Sequence, residues 1–177
     1  KADKDFKLIG KSVKRLDTPD KVNGKAQYGI DVRMPGLKVA TLMATPVVGG
    51  KVAGVDQAAA LKVPGVRQVV VLDDLVAVVG DHYWAAHQGL AALAPRWNDG
   101  ANGTRNSRQI MAELEAAAEH GVVAKKEGDA DKGLTQDARV DATYQVPFLA
   151  HAPMEPQNFT VHVTPGACEM WGGSQVQ

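Results

Sequence analysis

The pattern of apolar and polar positions predicts short strands that alternate with short helices. Two runs rich in β-branched residues predict strands over 66–72 and 75–79, and the two aspartates between them predict a tight turn. Apolar residues at helical spacing predict a helix that begins at Tyr83 and ends before Pro95. Because tight turns join antiparallel strands, this order favours an α+β fold over a doubly wound parallel sheet.

Further elements follow from the same patterns. Asp56 is predicted to cap a helix over 57–62, and Asp81 is predicted to cap the helix that starts at Tyr83. A third helix is predicted over 107–120, closed by Gly121. Strands are predicted over 26–32, 37–45, 122–125 and 140–147, and loops over 17–20, 98–106 and 125–132.

The last part of the chain contains a strand with one polar face. His162 alternates with Phe159, Val161 and Val163, so we expect its imidazole to face solvent. The single cysteine, Cys168, lies in a second strand-like segment. It is interpreted as a small core residue rather than a nucleophile.

Composition excludes several classes of protein. The 177 residues are enough for one domain with some chain left over, and the apolar share of 45% and charged share of 23% are those of an ordinary globular protein. The 20 basic and 20 acidic residues balance, which argues against a nucleic-acid partner. One cysteine excludes an internal disulfide, and no apolar run is long enough to predict a membrane span. The first residue is Lys1, so the chain is expected to be a segment of a longer protein.

Motifs of the common catalytic sites are absent from the sequence. The glycines at 49 and 50 precede Lys51, but Val52 stands where a phosphate loop needs Ser or Thr. There is no dinucleotide-binding glycine motif, no nucleophile elbow and no pair of histidines at helical zinc-binding spacing. Nor does any lysine have the setting of a lipoyl or biotinyl carrier. The residues alone therefore assign no catalytic group and no metal ligand.

Three ordered segments carry a specific resemblance. Residues 10–31 are similar to the opening G-x-x-x-x-R-x-D-x-x-x-K-V-x-G-x-A-x-Y-x-x-D of a known family. Residues 63–66 (V-P-G-V) and 76–80 (V-A-V-V-G) match the next motif, and the third is made by 151–158 (H-A-P-M-E-P-Q-N) and 168–175. The chain resembles the large subunit of the molybdenum hydroxylases, the xanthine dehydrogenase/aldehyde oxidase family. The sequence of residues 148–156 is most similar to that of the isoquinoline 1-oxidoreductase and membrane-associated aldehyde dehydrogenase branch.

The resemblance implies how the chain is divided. Residues 1–20 would be an entry segment, 21–145 an α/β-hammerhead domain, and 146–177 the truncated start of a molybdenum-cofactor-binding domain. Turn and folding positions of the hammerhead domain match Asp17, Gly24 and Asp31. Glu155 matches a turn at the start of the cofactor domain, which implies a structural role rather than a catalytic one.

It also implies a function for the parent protein. Family members hydroxylate aldehydes or N-heterocycles with water-derived oxygen, using a molybdenum–molybdopterin cofactor, here expected in its cytosine dinucleotide form. Gln175 matches the cofactor-binding glutamine, whose neutral amide can donate to an oxo ligand of the metal. The family's catalytic glutamate would follow residue 177. The chain by itself is therefore expected to be inactive and without cofactor, and no residue of it is assigned as catalytic or as a metal ligand.

The expected partners are an iron–sulfur small subunit, a cytochrome c subunit in some relatives, and a small aldehyde or N-heterocycle as substrate. The branch favours a periplasmic or membrane-associated location, and the cytoplasm stays open. The alternative is a non-catalytic hammerhead module that serves as an interaction scaffold.

Overall fold

The computed structural model describes residues 2–135 and 140–174. The chain forms two compact units, one of residues 36–145 and one that combines residues 1–35 with 146–177. Both contain antiparallel strands and helices, so the α+β prediction is confirmed. The domain limits inferred from the resemblance stay a prediction, because compactness does not define a homologous domain.

The helices are α1 (Thr18–Val22), α2 (Gln57–Leu61), α3 (Tyr83–Leu93), α4 (Ser107–Ala118) and α5 (Ala130–Leu134). The strands are β1 (Val39–Ala44), β2 (Lys51–Gly54), β3 (Val66–Val71), β4 (Leu75–Gly80), β5 (Arg96–Asn98), β6 (Phe159–Thr164) and β7 (Ala167–Gly172). Short 3-10 helices lie at Asp3–Asp5, Gly29–Asp31 and Gly100–Asn102.

The larger unit is built on a three-stranded antiparallel sheet in the order β1–β4–β3. Every residue of β4 is apolar, which suits a central strand, and alternate positions Val76 and Val78 are completely buried. Helices α2 and α3 contribute Ala60, Leu90 and Leu93 to the same core. The core therefore lies between the central strand and these two helices.

Small residues allow α3 to lie close to the sheet. A Cβ at Gly89 would be 2.6 Å from Val66 Cγ2 and 2.8 Å from Val78 Cγ1. The neighbouring Ala85 and Ala86 are also buried. The alanine-rich sequence of this helix thus reflects a short distance between helix and strand.

Of the two predicted helix caps, one is confirmed and the other is wrong. Asp56 accepts a hydrogen bond from Ala59 N at 2.9 Å, which confirms the predicted cap of α2. The cap predicted for Asp81 is wrong, because the first residue before α3 is His82, whose Nδ1 accepts from Ala85 N at 3.2 Å. Asp81 instead forms ion pairs with Arg67 and Lys38.

Several predicted strands and loops are wrong. Residues 26–32 hold a 3-10 helix, because the Asp31 carboxylate accepts the Tyr28 N–H at 3.0 Å and competes with strand pairing. Residues 122–125 and 140–147 form no strand; a β-branched run needs a partner strand and a surface to cover, yet Val122 and Val140 are 95% and 94% exposed. The loops predicted over 17–20 and 125–132 include parts of the short helices α1 and α5.

A small second sheet was not predicted. Strands β2 and β5 pair antiparallel, with Val52 opposite Trp97, and both side chains pack against the core of the larger unit. At four and three residues they are too short and too polar for a periodic signal. Ala94, in the left-handed region at φ 43°, turns the chain between α3 and β5.

Candidate functional site

The candidate site lies after the last strand of the smaller unit. The resemblance assigns the cofactor contact to Gln175, which lies outside the described residues, so its role stays a prediction. The structure describes the chain up to Ser174, three residues after Trp171 in β7. The described residues that precede Gln175 form a hairpin, and other segments pack against it and support it.

The hairpin has a two-residue turn at Pro165 and Gly166. Strands β6 and β7 pair in continuous register, from Phe159 opposite Gly172 to Thr164 opposite Ala167. Because the register has no bulge, the position of β6 determines where β7 ends.

The Tyr28–Asp31 segment, which is the end of the first family motif, packs on this hairpin. The Thr160 hydroxyl donates to the Gly29 carbonyl at 3.0 Å. Gly29 is buried, and a Cβ there would lie 2.9 Å from both the Trp171 carbonyl oxygen and Asn158 Oδ1. The backbones thus approach to a distance that only glycine permits.

The third family motif forms the base of the hairpin. The Asn158 side-chain amide donates to the Pro156 carbonyl at 2.7 Å and to Glu155 Oε1 at 3.5 Å. The other atom of that side chain, Asn158 Oδ1, is buried and has no hydrogen-bond partner in the described part of the chain. Glu155 Oε2 lies 3.5 Å from where a Cβ of Gly173 would stand. Glu155 therefore lies next to Asn158 and Gly173, and its structural role stays a prediction.

The other candidate residues are not brought together into a site. His162 is exposed, as predicted, and its Nδ1 lies 3.4 Å from Glu169 Oε2 across the hairpin. The interpretation of Cys168 as a core residue is wrong, because its hairpin face is exposed. Within residues 2–135 and 140–174, no group of three or more His, Cys, Asp or Glu side chains could hold a metal ion.

Sequence reasoning missed three residues of this support: Gly29, Asn158 and Thr160. Gly29 and Asn158 lie inside two of the family motifs, and Thr160 lies two positions after the first part of the third motif. All three residues therefore lie in or next to recognisable motifs. The contacts of Gly29 with Asn158 and Thr160, however, join positions more than a hundred residues apart, and no local sequence pattern predicts such a contact.

Among the described residues, the largest shift in a pKa belongs to Asp81 in the larger unit. Hydrogen bonds from Arg67, then from Lys38, hold the pKa of Asp81 well below its usual range. The same interaction raises the pKa of Arg67. These three side chains join the start of β1, the start of β3 and the end of β4 in one ion-pair cluster.

Comparison with known proteins decides the family. Over 184 residues the chain is 35% identical to the beta subunit of the isoquinoline 1-oxidoreductase of Brevundimonas diminuta, and the match covers 96% of the chain and 23% of the relative. The chain belongs to the xanthine dehydrogenase/aldehyde oxidase family. It spans less than a quarter of the length of this relative.

Two further relatives are similar to this chain over nearly its whole length. A nicotinate dehydrogenase subunit of Pseudomonas putida is 26% identical over 99% of the chain and 16% of that protein. A membrane-bound aldehyde dehydrogenase of Gluconacetobacter polyoxogenes is 30% identical over 97% of the chain and 24% of that protein. No family profile matches the chain.

Two solved structures are similar to about half of the chain at 16% identity. One is a Cu,Mo-CO dehydrogenase, with a TM-score of 0.41 over 50% of this chain and 15% of that one. The other is the quinoline 2-oxidoreductase of Pseudomonas putida 86, with a TM-score of 0.42 over 52% of this chain and 16% of that one. In the described part of this xanthine dehydrogenase/aldehyde oxidase family chain, no helix is long and apolar enough to cross a membrane.

Proposed function

We propose that the chain is part of the large subunit of a molybdenum hydroxylase that oxidises aldehydes or N-heterocycles. The observation that carries the proposal is the 35% identity to the isoquinoline 1-oxidoreductase chain over nearly the whole of this one. Sequence similarity that extends through all three ordered motifs supports a shared chemistry better than one short motif does.

The segment after β7 leaves room for a bulky cofactor. Gly173 has no side chain to obstruct its approach, and a Cβ there would meet nothing closer than Glu155 Oε2 at 3.5 Å. Gln175 would donate its neutral amide to the group without adding charge. When bound, a molybdenum–molybdopterin cofactor, in its cytosine dinucleotide form, supplies the oxidation of the substrate carbon. The residues of this chain would orient that group.

The proposal extends to partner subunits. Two of the relatives are named as subunits, which supports partner subunits in general. In the proposal these are an iron–sulfur small subunit that accepts the electrons and a cytochrome c subunit that receives them next. The substrate would be a small aldehyde or N-heterocycle, as the names of the relatives suggest.

The metal content of the natural full-length protein tests the proposal. The protein should be purified with its small subunit from a host able to make the cofactor, and molybdenum should be measured by mass spectrometry. About one molybdenum per large subunit is expected, because the proposal gives each large subunit one cofactor. A well-folded protein without molybdenum would contradict the proposal and favour a hammerhead scaffold without catalytic activity.

A further inference from the structure

The geometry points to the Tyr28–Asp31 turn as a positioning element for the chain that leaves β7. This inference rests on the proposed function, because it gives that turn a role in orienting the cofactor contact. We call the Tyr28–Asp31 turn the brace. Its function would be to fix the end of β7 from which the Gly173–Gln175 segment continues.

The brace is itself a rigid turn. The Asp31 carboxylate accepts the Tyr28 N–H at 3.0 Å, and the Asp31 N–H donates to the Tyr28 carbonyl at 2.9 Å. Two reciprocal hydrogen bonds between the same residues hold the intervening backbone in one conformation. Gly29 is therefore presented in a fixed orientation.

The brace contacts both strands of the hairpin. On β6, the Thr160 hydroxyl donates a hydrogen bond to the Gly29 carbonyl of the brace at 3.0 Å. On β7 it lies against the end of the strand, because a Cβ at Gly29 would be 2.9 Å from the Trp171 carbonyl oxygen and 3.0 Å from Gly172 Cα. Gly29 thus contacts both strands, and it fixes the lateral position of β6 and the position of the end of β7.

A hairpin of two strands needs such support. Two-stranded hairpins are marginally stable on their own, and most of this one is exposed, including Val163 at 71% and Met170 at 66%. Trp171 and Thr160, which face each other in the register, are the partly buried pair next to the brace. Among the described residues, the contacts that hold the hairpin therefore lie mainly at the end that leads to Gln175.

The test uses the natural full-length protein with its small subunit. Thr160→Val removes the hydroxyl and keeps the shape of the side chain, while Thr160→Ser keeps the donor. Gly29→Ala adds the obstructing Cβ. Gly166→Ala is the matched control, since a Cβ there, in the turn of the same hairpin, meets nothing within 4 Å.

Amide hydrogen exchange of peptides covering 168–177 is the first readout, and it does not depend on activity. We expect exchange roughly fivefold faster in Thr160→Val, as for the loss of one neutral hydrogen bond, and a larger increase in Gly29→Ala. Thr160→Ser and Gly166→Ala should exchange as the unaltered protein does.

Steady-state kinetics are the second readout. The two disruptive variants should lose on the order of tenfold in kcat with little change in KM, because the substrate pocket is left intact while the cofactor contact is misplaced. Unchanged amide exchange in both Thr160→Val and Gly29→Ala would overturn the inference that the brace positions the end of β7. Faster exchange with normal kcat and molybdenum content would show that it stabilises the hairpin without positioning the cofactor contact.

A protein without molybdenum would refute the proposed function. The exchange measurement would still decide whether the brace holds the hairpin.

Discussion

The Arg67 guanidinium donates from both Nε and Nη2 to the Asp81 carboxylate, joining the start of β3 to the end of β4. The register between these strands shifts at Arg67, which is the extra residue of a β-bulge. Bulges redirect side chains, and here the bulge turns the guanidinium toward the carboxylate. Lys38 Nζ donates to the same carboxylate at 2.6 Å from the residue before β1.

The cluster predicts an acid-sensitive contribution to stability. The pKa of Asp81 is lower in the folded chain than in the unfolded chain, where it is about 3.9. Its stabilisation is therefore complete above about pH 5 and is lost as pH falls through the unfolded value and then the folded one. Asp81→Asn should lower the unfolding midpoint at pH 7 and have a smaller effect at pH 3.

Urea unfolding followed by far-ultraviolet circular dichroism checks this at both pH values. Asp73→Asn is the control, because that carboxylate is 90% exposed and its ion pair with Lys51 is long at 3.8 Å. A loss from Asp81→Asn that is the same at pH 3 and pH 7 would contradict an electrostatic role.

The completely buried Leu93 predicts a large loss of stability on truncation. It lies at the end of α3 in the core that contains Val76 and Val78. Leu93→Ala should cost about 2–5 kcal/mol in the free energy of unfolding, because it removes apolar burial and leaves a cavity. Leu114→Ala in α4, where the side chain is 50% exposed, should cost much less. Denaturant titration compares the two, and equal costs would argue against this core.

Gly89 predicts an unusual response to alanine in a helix. Alanine has the higher helix propensity, yet its Cβ would lie 2.6 Å from Val66 and 2.8 Å from Val78. We expect Gly89→Ala to destabilise the chain by about 1–3 kcal/mol through overpacking. Gly133→Ala in α5, where a Cβ meets nothing within 4 Å, should be neutral or stabilising. Thermal unfolding of both variants decides the point; a more stable Gly89→Ala would show that α3 can move away from the sheet.

Gln175→Ala tests the cofactor contact inferred from the resemblance. In the full-length protein we expect kcat to fall by roughly 10–100-fold while the chain stays folded, because a hydrogen bond to the cofactor is lost. Gln157→Ala is the control, since that glutamine is exposed in the third family motif. The measurements are kcat with a small aldehyde as substrate and the molybdenum content of each variant. Normal values for both would place the contact elsewhere.

Local patterns predicted the core of the larger unit correctly. Strands β3 and β4 and helix α3 have strong periodicity, and Asp56 carries a capping signal that depends on residues three positions apart. These features are encoded within a few residues, so the sequence alone was enough.

The failures have a common physical cause. Asp81 looks like a helix cap, but its partners Lys38 and Arg67 are 43 and 14 residues away. The segments 122–125 and 140–147 have strand propensity without forming a strand, because pairing decides between strand and coil. In the candidate site, the residue types were visible within the family motifs, and the contact of Gly29 with Thr160 was not.

The connection between Thr160 and Gly29 also constrains the order of folding. It joins residues 131 positions apart, and the whole larger unit lies between them in the chain. During synthesis, the contiguous residues 36–145 are complete before β6 emerges, whereas residues 1–35 must wait for their partner strands. The larger unit is therefore expected to fold first, and the smaller unit closes last at an entropic cost that grows with the length of the intervening loop. A substitution that slows folding of the inserted unit would delay the smaller one as well, although it touches none of its residues.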